Sequence, residues 1–255
     1  MINSKKKFVG AACALSMALF GAVASADVIY STMPASLPGS LPSIAYYSNN
    51  ITEIGQSIQL GGTARALNSV TVTMVDWSMA STFGSLAAGY DQTLTFNIYN
   101  YVDNTALGSL IATLTQTALV PWRPKADPTN CGVGATTWYS AADNTCYNGY
   151  AFNVTFDFSS LGVILPNNLA FGLSTATDPS GSAPNDSLNY AVTLASPSVG
   201  AEVSPGAIWV DGLSDTASGY IPVVTFNASV PEPTTLALAG LALFGIAATR
   251  RRVRR

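Results

Sequence analysis

The sequence predicts an all-β protein: an antiparallel β-sandwich, jelly-roll-like, held between an N-terminal signal peptide and a single C-terminal transmembrane helix. Three observations lead there. Apolar and polar residues alternate with period two again and again between residues 27 and 229, with no helical periodicity beside them. Clusters of turn-forming residues separate the alternating runs. Each end of the chain carries an apolar run bordered by cations, and the interval between is nearly free of them.

At the N-terminus, Lys5, Lys6 and Lys7 precede an apolar run from Phe8 to Val23, and Ala24 and Ala26 frame Ser25. Charge, apolar core and A-x-A cleavage site, in that order, define a secretory signal. The segment 1–26 is therefore expected to be removed, so that the mature chain starts near Asp27. Cys13 lies inside the apolar run and leaves with it. The residues before it, Gly10, Ala11 and Ala12, lack the leucine-type residue of a lipoprotein cleavage site.

Residues 27–229 read as one domain, since all-β units often reach this length. The opening stretch, with Pro34, Pro38 and Pro42 among Ser and Gly, reads as an extended lead-in rather than a strand. Val70, Val72 and Met74 then alternate with Thr71 and Thr73, and Leu94, Phe96 and Ile98 with Thr95 and Asn97. The strongest alternation is Tyr150, Phe152, Val154, Phe156 and Phe158, so one face of that strand is expected in the core. Shorter runs at 110–116, 169–174, 188–195, 207–210 and 220–228 complete eight or nine strands with no helices between them.

One connection is too long to be a hairpin turn. Residues 121–149, PWRPKADPTNCGVGATTWYSAADNTCYNG, contain Cys131 and Cys146, and an exported chain meets an oxidising compartment. This even pair is expected to form one disulfide, worth roughly 3 kcal/mol for a loop of that size. Long ordered loops tend to be functional. Trp122, Trp138, Tyr139 and Tyr147 could stack on sugar rings while Asn130, Asp143 and Asn144 bond hydroxyls. Alternatively, as large hydrophobes these aromatics pin the loop to the sandwich.

Charge and composition remove several function classes. Between residues 27 and 229 only Arg65, Arg123 and Lys125 stand against 13 acids, a net charge of −10. Such a domain has no electrostatic footprint for nucleic acid and is repelled by anionic lipid. The chain has no histidine, which excludes His-dependent nucleophiles and His-based metal catalysis. A glycosidase-type carboxylate pair remains as the hydrolytic alternative, but only Glu53 and Glu202 are glutamates here. The expectation is a non-enzyme without a cofactor. Asp178, Asn185 and Asp186 offer at most a structural calcium site, without EF-hand spacing.

At the C-terminus, Thr234 through Thr249 are uncharged and mostly apolar, about 24 Å as a helix. That nearly spans a bilayer core of ~30 Å. Arg250, Arg251, Arg252, Arg254 and Arg255 would stay on the cytoplasmic side, leaving the acidic domain outside. Pro231 and Pro233 precede the run, where a helix start tolerates proline.

Val230-Pro231-Glu232-Pro233-Thr234, followed by the apolar run and the basic end, resembles the PEP-CTERM family of sorting tails over residues 230–255. The resemblance implies recognition of Pro231, Glu232 and Pro233 by exosortase, a membrane-embedded processing enzyme of Gram-negative bacteria that make exopolysaccharide. It further implies a transient stay in the inner membrane, then release to the cell surface or extracellular matrix, with a structural or glycan-binding role in exopolysaccharide or biofilm. A permanently anchored periplasmic binding module is the alternative end point.

Overall fold

Alternation along the long strands gives each an apolar face, and two such sheets bury those faces against each other. The computed structural model describes residues 26–84, 87–103, 106–176, 183–215 and 219–230. The signal segment up to residue 25, the apolar run between Thr234 and Thr249, and Pro231, Glu232 and Pro233 lie outside the described residues. Among those described, no helix is long and apolar enough to cross a membrane.

The strands are β1 (Asp27–Ser31), β2 (Ser43–Ala45), β3 (Glu53–Gln59), β4 (Ala66–Asp76), β5 (Gly89–Tyr101) and β6 (Leu107–Pro121). After the short helix α1 (Pro128–Cys131) come β7 (Trp138–Ser140), β8 (Thr145–Tyr147), β9 (Tyr150–Asp157), β10 (Asn168–Thr175) and β11 (Leu188–Thr193). The chain closes through β12 (Ala201–Glu202), β13 (Ile208–Val210), β14 (Leu213–Asp215), β15 (Ile221–Pro222) and β16 (Val224–Ser229).

One seven-stranded sheet has the order β1-β16-β4-β11-β15, with β2 on β11 and β9 on β4. Val72 pairs with both Val224 and Val154, so β16 and β9 flank β4. The other seven-stranded sheet has the order β14-β13-β3-β10-β5-β6, with β12 on β3. All pairings are antiparallel, and β7 and β8 form a separate hairpin. The chain passes repeatedly from one sheet to the other, as a jelly-roll-like sandwich requires.

Phe96 of the second sheet sits at the centre of the interior, with ring centroids of Phe156, Phe171 and Phe226 at 5.5, 5.6 and 5.8 Å. Phe156 and Phe226 belong to the first sheet, so this cluster joins the two layers. The first sheet has a second, smaller apolar layer on its outer face. There Val75, Ala151, Ala191 and Val223 are covered by Met33, Leu37 and Leu41 of the proline-rich lead-in. The lead-in is a strap across the sheet.

The structure differs from the sequence pattern in several elements. The described chain contains sixteen strands rather than eight or nine, because segments of two to seven residues such as β2, β3 and β12 show no readable alternation. Helical turns do intervene: α1, and 3-10 turns at Ser159–Leu161 and Pro184–Ser187. The run 220–228 is broken at Val223 into β15 and β16, beside Pro222, which has no N–H for a ladder. In the 150–158 run, Val154, Phe156 and Phe158 are core, but Tyr150 and Phe152 are only half-buried.

β4 fixes the two ends of the molecule. At its start Ala66 pairs with Ser229, next to the pairing of Asp27 with Ala228. At its finish Asp76 pairs with both Tyr150 and Leu188.

Candidate functional site

The loop after β6 is organised by its own polar residues. Asp127 caps α1, its carboxylate accepting from the Thr129 and Asn130 amides at 3.0 and 3.1 Å and from the Asn130 side chain at 2.7 Å. These donors, Asn130 first, hold the Asp127 carboxyl below its usual range. The Cys131–Cys146 disulfide is present, with Cα atoms 5.8 Å apart, and ties α1 to β8. Asn144, at φ 51°, turns β7 into β8.

Pairing in the hairpin decides which aromatics meet. Trp138 lies opposite Tyr147, and Tyr139 opposite Cys146, so Tyr139 is on the other face. Trp138 is 8% exposed, and its ring packs against Tyr147 and Tyr150 at centroid distances of 5.7 and 5.6 Å. Its indole N–H donates to the Gly149 carbonyl at 2.7 Å. Tyr139 donates its hydroxyl to Asn144 at 2.7 Å. Trp122 is elsewhere, stacked on Phe83 at 5.7 Å and beside Tyr90 at 5.0 Å, its N–H bonded to the Ala87 carbonyl. The four aromatics singled out in the sequence thus occupy three separate places.

The strap and the loop lock together at Gly39. A Cβ there would lie 2.6 Å from Tyr147 and 2.7 Å from Trp138, so only glycine permits this approach. The Gly39 amide donates to Asp143 at 2.7 Å, and the Gly39 carbonyl accepts from the Ala151 amide. Asp143 also accepts from the Ser140 hydroxyl at 2.9 Å, and these bonds, Gly39 first, depress its carboxyl from the ordinary range.

Between strap and loop opens a groove of about 260 Å³, lined by Ser40, Leu41, Pro42, Trp77, Cys146, Tyr147, Asn148 and Gly149. Trp77, the residue after β4, is 45% exposed. The other three tryptophans each donate their indole N–H to a protein acceptor. Trp77 alone leaves that N–H without an acceptor among the described residues. Sequence reading did not single it out, although a signal existed. Val70, Val72 and Met74 set the inward phase of β4, and that phase delivers Asp76 to the interior and Trp77 to the surface.

The groove rests on a buried polar support. Arg123, 7% exposed, donates to the carbonyls of Asn148 and Thr136 at 2.6 and 2.9 Å, fixing the loop from beneath. Burial lowers the Arg123 pKa, and the charge of Asp76 pulls it back up. Asp76 has no exposed surface and accepts from the Tyr90 hydroxyl at 3.0 Å. Desolvation pushes its carboxyl up to about 7, against the lowering effect of nearby backbone amides and Tyr90.

Chemically, the groove is lined by two aromatic residues, Trp77 and Tyr147, with Ser40 and Asn148 as polar neighbours, and none of its eight lining residues is charged. A ring with one C–H face and a rim of hydroxyls matches that surface. A second depression, of about 420 Å³ around Arg65 and Asn167, offers less. The Arg65 guanidinium already makes five hydrogen bonds to neutral acceptors. Of the residues considered for calcium, Asp178 lies outside the described residues. Asn185 bonds the Ala176 carbonyl, and Asp186 accepts from the Ala183 amide in a local turn.

The tail is matched by comparison with known families. Residues 229–252 fit the PEP-CTERM protein-sorting motif, beginning at the last residue of β16. The chain therefore carries the sorting signal of exosortase-processed exported proteins at the end of its sandwich. No match is found among curated proteins.

Proposed function

We propose that this PEP-CTERM-tailed chain is a non-enzymatic surface or extracellular-matrix protein, released by exosortase, whose sandwich holds neutral exopolysaccharide at the Trp77 groove. The sorting motif at 229–252 carries the reading: it follows the folded domain directly and agrees with the signal pattern at the other end. Intact-mass measurement of protein recovered from the cell surface tests it. The mature species is expected to start near Asp27 and to lack Arg255. Glu232→Ala is expected to keep the whole tail and to remain in the membrane fraction. A surface form that still ends at Arg255 rejects exosortase release.

The glycan half rests on Trp77, an exposed indole with an unused N–H in an uncharged groove. Truncating a stacking aromatic removes on the order of 1 kcal/mol beyond its area, so Trp77→Ala is expected to weaken binding to neutral polysaccharide about tenfold. Affinity electrophoresis in polysaccharide-containing gels reads this directly. Equal retardation of wild type and variant would reject the groove.

A further inference from the structure

We propose that β6 is a pairing edge for a second copy of this chain. β6 is a fifteen-residue strand bonded to β5 on one side, and no backbone group among the described residues pairs with its other side. The side chain of Gln116 reaches across the rim to the Thr155 carbonyl at 3.1 Å, on the inward side of the strand. Exposed edges are normally kept short, or guarded by charge, proline or a bulge. Here no charged residue occurs from 104 to 122, the first proline is Pro121, and the register shifts against β5 fall only between Ile98 and Tyr101. From Ala112 to Val120 the edge is regular and carries no charge, proline or bulge.

Its sequence selects the occupant. Thr113, Thr115 and Thr117 occupy successive outward positions of β6, all exposed. An antiparallel two-fold centred on Thr115 sets Thr115 against its own counterpart and Thr113 against Thr117 of the second copy. On the inward phase Ala112 meets Ala118, and Leu114 meets Gln116. Directly opposed threonines are favourable cross-strand pairs, and like charges in those positions are unfavourable. The molecule already uses such pairs, with Thr95 and Thr115 hydroxyls 2.8 Å apart and those of Thr71 and Thr155 at 2.9 Å. With a net charge of −10 on each domain, two copies meet with least repulsion along a neutral edge. A two-fold consumes the edge of both partners and closes as a dimer.

Disulfide trapping of the full-length chain in its own membranes tests the register. Thr115→Cys is expected to give a covalent dimer under mild oxidation, at least tenfold more than Leu119→Cys. In this register position 119 lies about 27 Å from its own counterpart, at ~3.4 Å per residue. Leu119 is exposed on the same face, and that variant retains the same native cysteines. The double variant Thr113→Cys/Thr117→Cys leaves Thr115 intact and is expected to dimerise where either single change does not. Equal trapping at 115 and 119, or no trapping in both the Thr115→Cys and the double variant, overturns the proposal.

Discussion

Replacing Phe96 with alanine is expected to destabilise the protein by about 4 kcal/mol, a large share of the 5–15 kcal/mol typical of a domain. Phe96 has no exposed surface, and its ring contacts Phe156 and Phe226 of the facing sheet as well as Phe171 beside it. Truncation removes the apolar contact that joins the two layers and leaves a cavity that rigid strands on both sides cannot close. In urea unfolding, the midpoint should fall while the slope stays near that of wild type. A shift below about 1 kcal/mol would mean that the aromatic cluster does not hold the sheets together.

Asp76 should make the protein less stable as pH rises through the weakly acidic range. Its folded pKa, about 7, lies above the ordinary 3.8, so the folded state keeps a proton that the unfolded chain has released. Stability from this group is complete below about pH 4 and is lost progressively up to about pH 7, at about 1.4 kcal/mol per pH unit. The total is on the order of 4 kcal/mol. Asp127, Asp143, Asp157 and Asp211 act in the opposite sense, because hydrogen bonds hold their carboxyls below the ordinary range. They favour the fold once ionised and lose that contribution in acid. Melting temperature is therefore expected to fall between pH 5 and pH 8 in wild type, and to change little over that range in Asp76→Asn. Parallel profiles for the two proteins would show that Asp76 is already ionised inside the fold.

How far the sequence could be read follows from the length of each pattern. β4, β5, β9 and β10 were legible because several alternating residues on one face leave no other periodicity. β3 was not: it places Gly55, Gln56 and Ser57 in buried positions between Ile54 and Ile58, and polar residues inside a strand erase the alternation. The Gln56 side-chain oxygen accepts the Tyr30 hydroxyl at 3.0 Å. The disulfide was legible from compartment and parity. The groove was not, because it is made by three segments far apart in sequence: the strap at 40–42, Trp77, and the loop at 146–149. The stapled loop is rich in aromatics, yet its Trp138 serves packing, and the exposed groove ring, Trp77, comes from the end of a strand.

That strand has a second consequence. The sorting tail departs where β4 begins, beside Ser229, and Trp77 stands where β4 finishes. Eleven residues of extended chain separate the two by about 35 Å. β4 is thus a built-in spacer, with the start of the sorting motif at one pole and the exposed Trp77 at the other. Cleavage within the tail, as the proposed sorting entails, would leave the Trp77 end of the sandwich untouched.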